Sequence, residues 1–360
     1  MRRSRGVDGL AKRNKATCRE SNKSNDRPGV IFLEMRESHT PMRCRSGLQV
    51  TNERGEPASS TILGSMQLIQ IMRTIRVSCI VPLLAASLAT AHGQSTVTLT
   101  PTIVVAGSPE LIRVAVANAA SVDGEWLGRK LQFFPSRDGR AWLALAGVDV
   151  EASAGSSTLH ISIHTSSASR DIAQPVEIHE AHYRTGNLSV APKFVEPGAS
   201  ELQQIAADSE IKTRVFAASA GETLWRGSFR APVRAAPTDS FGTRRMFNGK
   251  LASVHKGMDF RAPMGTIVHA ANSGVVVLAR PLYYEGNCVI IDHGFGLYSL
   301  SMHFSRIDVH EGQRVATGER LGLSGATGRV TGPHLHWAVR WQGAYLDPAK
   351  LLKMNLGTAR

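Results

Sequence analysis

Between residues 96 and 191 the chain alternates short apolar, often β-branched runs with Gly, Ser, Asn and Asp. The runs at 102–106, 112–117, 141–148 and 159–163 have strand length and turn-like punctuation. They predict a small all-β, sandwich-like domain over 92–195. The period then changes. After the Pro197-Gly198 break, Leu202, Ile205, Ala206, Ile211 and Val215 recur at near-helical spacing, predicting a helix over 200–217 inside a connector at 196–222. Beyond Gly227 the β-type runs return at 266–270, 274–279, 288–292, 297–304, 306–309 and 336–340, with glycine at nearly every join. That pattern predicts a compact, mostly antiparallel β domain over 223–356. The fold class expected is therefore mainly β: a sandwich-like domain, a short helical connector and a second β domain. No repeat or low-complexity tract interrupts it.

Residues 1–65 have scattered charges and no sustained hydrophobic period, so no fold is expected there. Next come Arg73 and Arg76, an apolar run at 77–86 extending to Leu88, and Ala89-Thr90-Ala91. A basic start, an apolar stretch too short to span a bilayer comfortably and an Ala-x-Ala exit make residues 66–91 an expected secretory signal. It would leave an exported protein, periplasmic if the source has an outer membrane, without a stable membrane anchor. A signal in this position implies that residues 1–65 are a non-native upstream extension. The formal charge of +13 suggests a polyanionic partner at first sight, but its distribution changes that. Of 42 Lys and Arg and 29 Asp and Glu, residues 1–91 hold 15 and 7, leaving 27 and 22, a net of only +5, for the rest. Nucleic acid is accordingly not expected as a partner. Cys18, Cys44 and Cys79 precede the exit site, so Cys288 is alone in the expected mature chain and forms no intrachain disulfide. Among Val289, Ile290 and Ile291 it reads as a small buried hydrophobe.

Five residues of the second β domain, His255, Asp259, His303, His334 and His336, are the parts of which hydrolytic zinc sites are made. In His334-Leu335-His336-Trp337 a strand turns alternate side chains to one face, so both imidazoles point the same way. His255 and Asp259, four apart, share a face of either a strand or a helix, and Gly257 and Pro263 favour an extended segment. Imidazole and carboxylate both ligate zinc, and three protein ligands leave a fourth position open for chemistry. Singly these patterns are weak; together in one glycine-rich β domain they point to a metal site.

The chain here resembles a known family. Ser240-Phe241-Gly242-x-Arg244-Arg245, His255-x-Gly257-x-Asp259, Ala270-x-x-x-Gly274-x-Val276, Asp292-His293-Gly294, Met302-His303-Phe304 and the glycine loop from Gly325 into His334-Leu335-His336 are similar to segments of the lysostaphin-type zinc endopeptidases. The resemblance runs from about residue 240 to 351. It implies that His255, Asp259 and His336 bind Zn2+ and that His303 and His334 are the catalytic histidines. It further implies an endopeptidase acting on stem peptides or crosslinks of bacterial peptidoglycan, with an N-terminal module that restricts or positions the groove. Phe304 stands where the family commonly has Leu and reads as a packing change. The family also includes members that have lost ligands and activate other hydrolases; a non-catalytic regulator is the alternative, and the complete set of five residues argues against it.

Other residues carry blander expectations. His293 reads as structural, His269 and His310 as solvent-facing, and His160 and His164 as outward positions on a strand, with no metal argument for them or for His179 and His182. Trp337, Trp341 and Tyr345 could equally line a groove or fill the core. Arg244, Arg245 and Arg329 are candidates to meet substrate carboxylates, weighed against solvated surface charge.

Overall fold

The alternation read from the sequence becomes two-faced strands. In Gly155–His164, Leu159, Ile161 and Ile163 are buried, while His160, Ser162 and His164 face outward. This is a computed structural model, and it describes residues 96–188, 190–247 and 250–358. The upstream extension, the signal and Cys18, Cys44 and Cys79 lie outside the described residues.

The N-terminal half contains two sheets. One places Thr96–Thr100, Pro109–Ala115, Ala141–Gly147 and Phe134–Pro135 side by side, all antiparallel. The other runs Val104–Val105, Ser169–His179, Gly155–His164, Ser121–Trp126 and Arg129–Gln132. Ile112 and Val114 from the first pack with Val122, Leu159, Ile161 and Ile178 from the second, which is the sandwich-like arrangement expected.

In the C-terminal half a large antiparallel sheet follows the order Pro237–Asp239, Met258–Phe260, Leu335–Trp341, Leu297–Ile307, Gly286–Asp292, Gly274–Leu282 and Arg314–Val315. The runs predicted separately at 297–304 and 306–309 form one strand, Leu297–Ile307, with an irregularity around Phe304. Cys288 is fully buried within Gly286–Asp292, and burial pushes its thiol pKa up, as suits an inert core residue. Trp337 and Trp341 lie at 0 % and 2 % exposure, which decides for core over groove.

A helix, Ala199–Ala217, joins the halves and covers one side of the large sheet. Only part of its predicted apolar stripe is used. Ile211, Val215 and Phe216 pack on Leu278, Ile290, Tyr298 and Leu300, whereas Leu202 is left exposed. The helix is fastened by polar contacts as well: Asp208 accepts from the Tyr283 amide at 2.6 Å, and Lys212 pairs with Glu285 at 2.5 Å. No helix among the described residues is long and apolar enough to cross a membrane.

The halves share one hydrophobic cluster, running from Leu99 and Ile112 through Trp225 to Trp341 and Leu356. Where they meet, Asp347 donates its amide to Gly107 at 2.7 Å, and Leu346 occupies the space that a Cβ on Gly147 would need. Glu110 is buried at this junction, and its Oε2 has no partner. Ser108 Oγ lies 2.5 Å from Glu110 Oε1 and 2.8 Å from the Val105 carbonyl, and one hydroxyl proton cannot serve both. A protonated Glu110 donating to Ser108 resolves this. Burial pushes its pKa up to about 8, against the opposing effects of Ser108 and Lys350.

A three-stranded sheet completes the connection: Thr185–Leu188 from the N-terminal side runs parallel to Arg244–Phe247, which pairs with Lys250–Val254. Its last strand leads directly to His255. This crossover was not foreseen from the sequence, because it joins segments some sixty residues apart that carry no pairing signal of their own.

Candidate active site

His255 is the first residue after Lys250–Val254, and its backbone is pinned to the preceding turn: its amide donates to Thr243 O, and its carbonyl accepts from Gly242 N, both at 2.8 Å. Gly242 has φ +80° and lies under the ring of Tyr183, so a side chain there would meet both backbone strain and a wall. Asp259 sits in Met258–Phe260, directly across from His336 in the antiparallel register. Cross-strand partners of this kind lie within about 5 Å at Cβ, which brings carboxylate and imidazole together. Between them, Gly257 lies so close to His336 that a Cβ would come 2.6 Å from Nε2. The glycine keeps the pocket floor open.

Three ligand atoms converge. His255 Nε2 is 3.1 Å from Asp259 Oδ1 and 3.0 Å from His336 Nδ1, and His336 Nδ1 is 2.8 Å from Asp259 Oδ1. A tetrahedral zinc ion with bonds of about 2.1 Å holds its ligands about 3.4 Å apart, so this triangle is close to the right size and has the right chemistry. His255 Nδ1 faces the Ser240 carbonyl at 2.9 Å and Asp239 Oδ2 at 3.2 Å. Both neighbours only accept, so Nδ1 carries a hydrogen, and Nε2, which faces Asp259, would offer its lone pair to the pocket once it gives up its proton.

The two remaining histidines face the same place. His303 Nδ1 donates to Thr327 O and His334 Nδ1 to Gly332 O, each at 2.8 Å, which leaves both Nε2 atoms as acceptors. Their rings are 4.9 Å apart, and His334 Nε2 is 3.8 Å from Asp259 Oδ1. His303 has φ +67°, a left-handed conformation that costs a non-glycine residue on the order of 1 kcal/mol. It is held by its amide bond to Glu285 O and by the strand irregularity, which re-aims its side chain.

The electrostatics are set by a continuous network. Asp239 Oδ1 accepts from Arg184 at 2.6 Å, Thr243 at 3.0 Å and the Ser240 amide at 2.9 Å, while Oδ2 accepts from Arg245 at 2.8 Å. The same Arg245 nitrogen reaches Asp259 Oδ2 at 2.6 Å. Burial alone would raise the pKa of both aspartates. Bonds from His255, Arg245 and Arg184 to Asp239, and from His255 and His336 to Asp259, outweigh it and hold both well below the ordinary carboxylate range. His255 moves up, because its bonds to Asp239 and Asp259 overcome burial. Burial pushes His336 down to about 4 and, helped by neighbouring His336 and His334, pushes His303 down to about 3. His303 is thus neutral at physiological pH.

Among the described residues, His255, Asp259 and His336 are the one group of His, Cys, Asp or Glu with ligand atoms gathered this tightly. A cleft of about 290 Å3 opens onto Asp259, His303 and His334, with Asp239, Arg245, Arg261 and Arg329 also on its walls. A larger cleft of about 1270 Å3 beside Trp225 and Phe295 has no such group, so chemistry rather than size locates the site. Residues 253–348 match the profile of peptidase family M23.

The chain carries an M23 peptidase domain.

Curated relatives agree with this M23 assignment. Peptidoglycan DD-endopeptidase ShyA of Vibrio cholerae is 41 % identical over 142 residues, 39 % of this chain and 32 % of the relative. ShyB of the same organism is 36 % identical over 136 residues, 36 % of this chain and 32 % of the relative. The chain spans about a third of the length of these relatives. A crystal structure of a protein assigned to peptidase M23, from Pseudomonas aeruginosa, has a TM-score of 0.54 and 25 % identity, covering 69 % of this chain and 94 % of that one. That match extends well beyond the M23 segment, so part of the preceding β region recurs with it.

All five residues singled out in the sequence are brought together in the M23 domain. Two expectations need adjustment. His334 precedes the strand Leu335–Trp341 and is held by an isolated bridge to Gly325, so the pair faces one way from a strand and its entry turn. Arg245, a candidate for substrate, is instead engaged by Asp239 and Asp259, and Arg244 lines a different cleft beside His182. His293 is structural: fully buried, it bonds Ser273 O at 2.7 Å and Ser299 Oγ at 2.8 Å. Asp239 and Arg184 were missed. Asp239 adjoins the Ser240-Phe241-Gly242 string, but nothing in that string shows that its carboxylate reaches His255.

Proposed function

We propose that this protein is an exported zinc-dependent endopeptidase that hydrolyses peptide bonds in the stem peptides or crosslinks of bacterial peptidoglycan. The observation that carries the reading is the convergence of His255 Nε2, Asp259 Oδ1 and His336 Nδ1 beneath two imidazoles whose Nε2 atoms are bare. The named activity of the M23 relatives supplies the substrate class.

His255, Asp259 and His336 would hold the metal. When bound, zinc supplies Lewis acidity, polarising the scissile carbonyl and acidifying water into the neutral range. His334 Nε2, on the rim of the cleft, accepts the proton of the attacking water and returns it to the leaving amine. His303, neutral and locked by Thr327, offers a second acceptor that orients the water. Arg245 keeps Asp259 from turning by holding Oδ2, so Oδ1 stays in the pocket. The N-terminal half positions this site through Arg184 and the shared core, in preference to merely covering it.

The test is digestion of purified sacculi with the zinc-supplied protein, with released fragments identified by mass. Peptide-bond cleavage that a chelator abolishes and zinc restores is expected. His334→Ala should end cleavage while folding and metal content persist; undiminished cleavage by this variant, or none by the unmodified protein, removes the reading.

A further inference from the structure

The hairpin turn at 283–285, between Gly274–Leu282 and Gly286–Asp292, holds His303 in two ways. Directly, the Glu285 carbonyl accepts from the His303 amide at 3.0 Å. Indirectly, the turn seats the glycine loop whose Thr327 carbonyl accepts from His303 Nδ1 at 2.8 Å. Asn287 donates its amide to Thr327 Oγ1 at 2.9 Å, and the Tyr284 carbonyl accepts from the Arg329 amide at 2.9 Å. Gly328 lies so close to Gly286 that a Cβ on it would come 2.3 Å from the Gly286 nitrogen. Backbone and ring of His303 are therefore both set from this turn. The dependence matters because φ +67° is a conformation that a histidine keeps only where its surroundings impose it.

The turn is in its own right fixed from outside the sheet. Asp208 and Lys212 stand four residues apart on one face of the helix Ala199–Ala217. Asp208, at 8 % exposure, accepts from the Tyr283 amide at 2.6 Å, and Lys212 pairs with Glu285 at 2.5 Å. Burial would lower the Lys212 pKa, but Glu285 outweighs it and holds the ammonium above its ordinary value. Just upstream of the helix, the Lys193 carbonyl accepts from the Tyr283 hydroxyl at 2.9 Å, and Phe194 meets that ring edge-on at 5.4 Å. Covering the sheet requires none of this, since Ile211, Val215 and Phe216 already supply the apolar contact. A buried aspartate costs stability unless its bonds are made, and this one spends its bond on the turn that His303 depends on.

We propose that Asp208 and Lys212 are positioning residues for the reaction: through Tyr283 and Glu285 they hold the turn that keeps the His303 imidazole aimed at the attacking water. This rests on the endopeptidase reading above. The connector helix is then part of the working machinery of the enzyme. Loosening its polar grip lowers turnover without emptying the metal site, because His255, Asp259 and His336 stand on other segments.

The test measures kcat and KM of the zinc-supplied protein on a purified cross-linked muropeptide dimer, well below the melting temperature, with zinc content and melting temperature read alongside. Asp208→Ala should lower kcat about 10-fold with KM and zinc content unchanged, the scale of one charge-assisted bond lost and a reacting group misplaced. Asp208→Asn, whose amide oxygen still accepts from Tyr283, should recover most of that loss. Lys212→Met should lower kcat roughly 3-fold, and Lys212→Arg, which keeps the charge, should restore it. Val215→Ala is the control. It loosens the same helix through its apolar side, so it should lower the melting temperature and leave kcat within about twofold. An unchanged kcat in Asp208→Ala overturns the positioning role, as does a fall in kcat that follows melting temperature across all the variants, Val215→Ala included. If Asp208→Ala does not fold, Lys212→Met and its arginine counterpart decide by the same readings. No cleavage by the unmodified protein overturns the endopeptidase reading, and the positioning role with it.

Discussion

Glu110 in the N-terminal half and Asp259 in the C-terminal half are both carboxylates removed from water, at 0 % and 7 % exposure, yet their surroundings drive them apart. Glu110 has one hydroxyl within reach and an orphan oxygen, so burial wins and the group stays protonated to about pH 8. Asp259 has an arginine and two imidazoles, so its pKa is held well below the ordinary carboxylate range and it keeps its charge. Burial sets how much a charge costs; the partners decide whether it is kept. An ionised buried carboxylate with one oxygen turned into an open pocket is therefore a mark of function, and a neutral one at a packed junction a mark of structure.

The contrast breaks most visibly if the site carboxylate is made neutral. Asp259→Asn keeps the shape and removes the charge, so activity on sacculi should fall at least about a thousandfold, matching loss of several kcal/mol of metal-assisted stabilisation. Competition with a coloured zinc chelator should show lost affinity in a variant that still melts cooperatively. Glu110 supplies the converse. With a folded pKa near 8 against 4.5 unfolded, the native state binds the extra proton in that window. Its contribution is complete below pH 4.5 and is lost as pH rises through 8, a swing on the order of 5 kcal/mol. Glu110→Gln should flatten this slope and raise the unfolding midpoint above pH 8, read by denaturant titration at several pH values.

Smaller effects sharpen the picture. Arg245→Gln removes the group that fixes Asp259 and should weaken zinc binding about 10- to 100-fold, with Arg184→Gln, one step further out and more exposed, costing less. Chelator competition ranks the two, and the reverse order would show that the network does not act through Asp259. His160→Ala, on the outer face of a sandwich strand, should change stability by no more than about 0.5 kcal/mol and leave activity alone.

Local pattern carried much of this. Alternation made His334 and His336 neighbours on one face; Gly257 marked the break between His255 and Asp259; the 3.6 period found Ala199–Ala217 within a residue of each end. What remained hidden depends on long-range closure. Arg184 reaches Asp239 only because Thr185–Leu188 pairs with Arg244–Phe247, and the halves share a core only because Leu346 meets Gly147. Arg245 looked available for substrate because a sequence shows a charge but not its partner. His303 was recognisable by type and context, while its left-handed backbone is imposed by the Glu285 contact and the bulged strand.

The guanidinium shared between Asp239 and Asp259 has a bearing on the order of events in the life of the chain. Small zinc domains often wait for their ion because nothing else neutralises the crowded ligands. Here the neutralising charge is covalently part of the polypeptide, and the three candidate ligands hang on a large sheet with its own apolar core. The scaffold can therefore mature first and receive its cation afterwards, wherever that cation happens to be encountered.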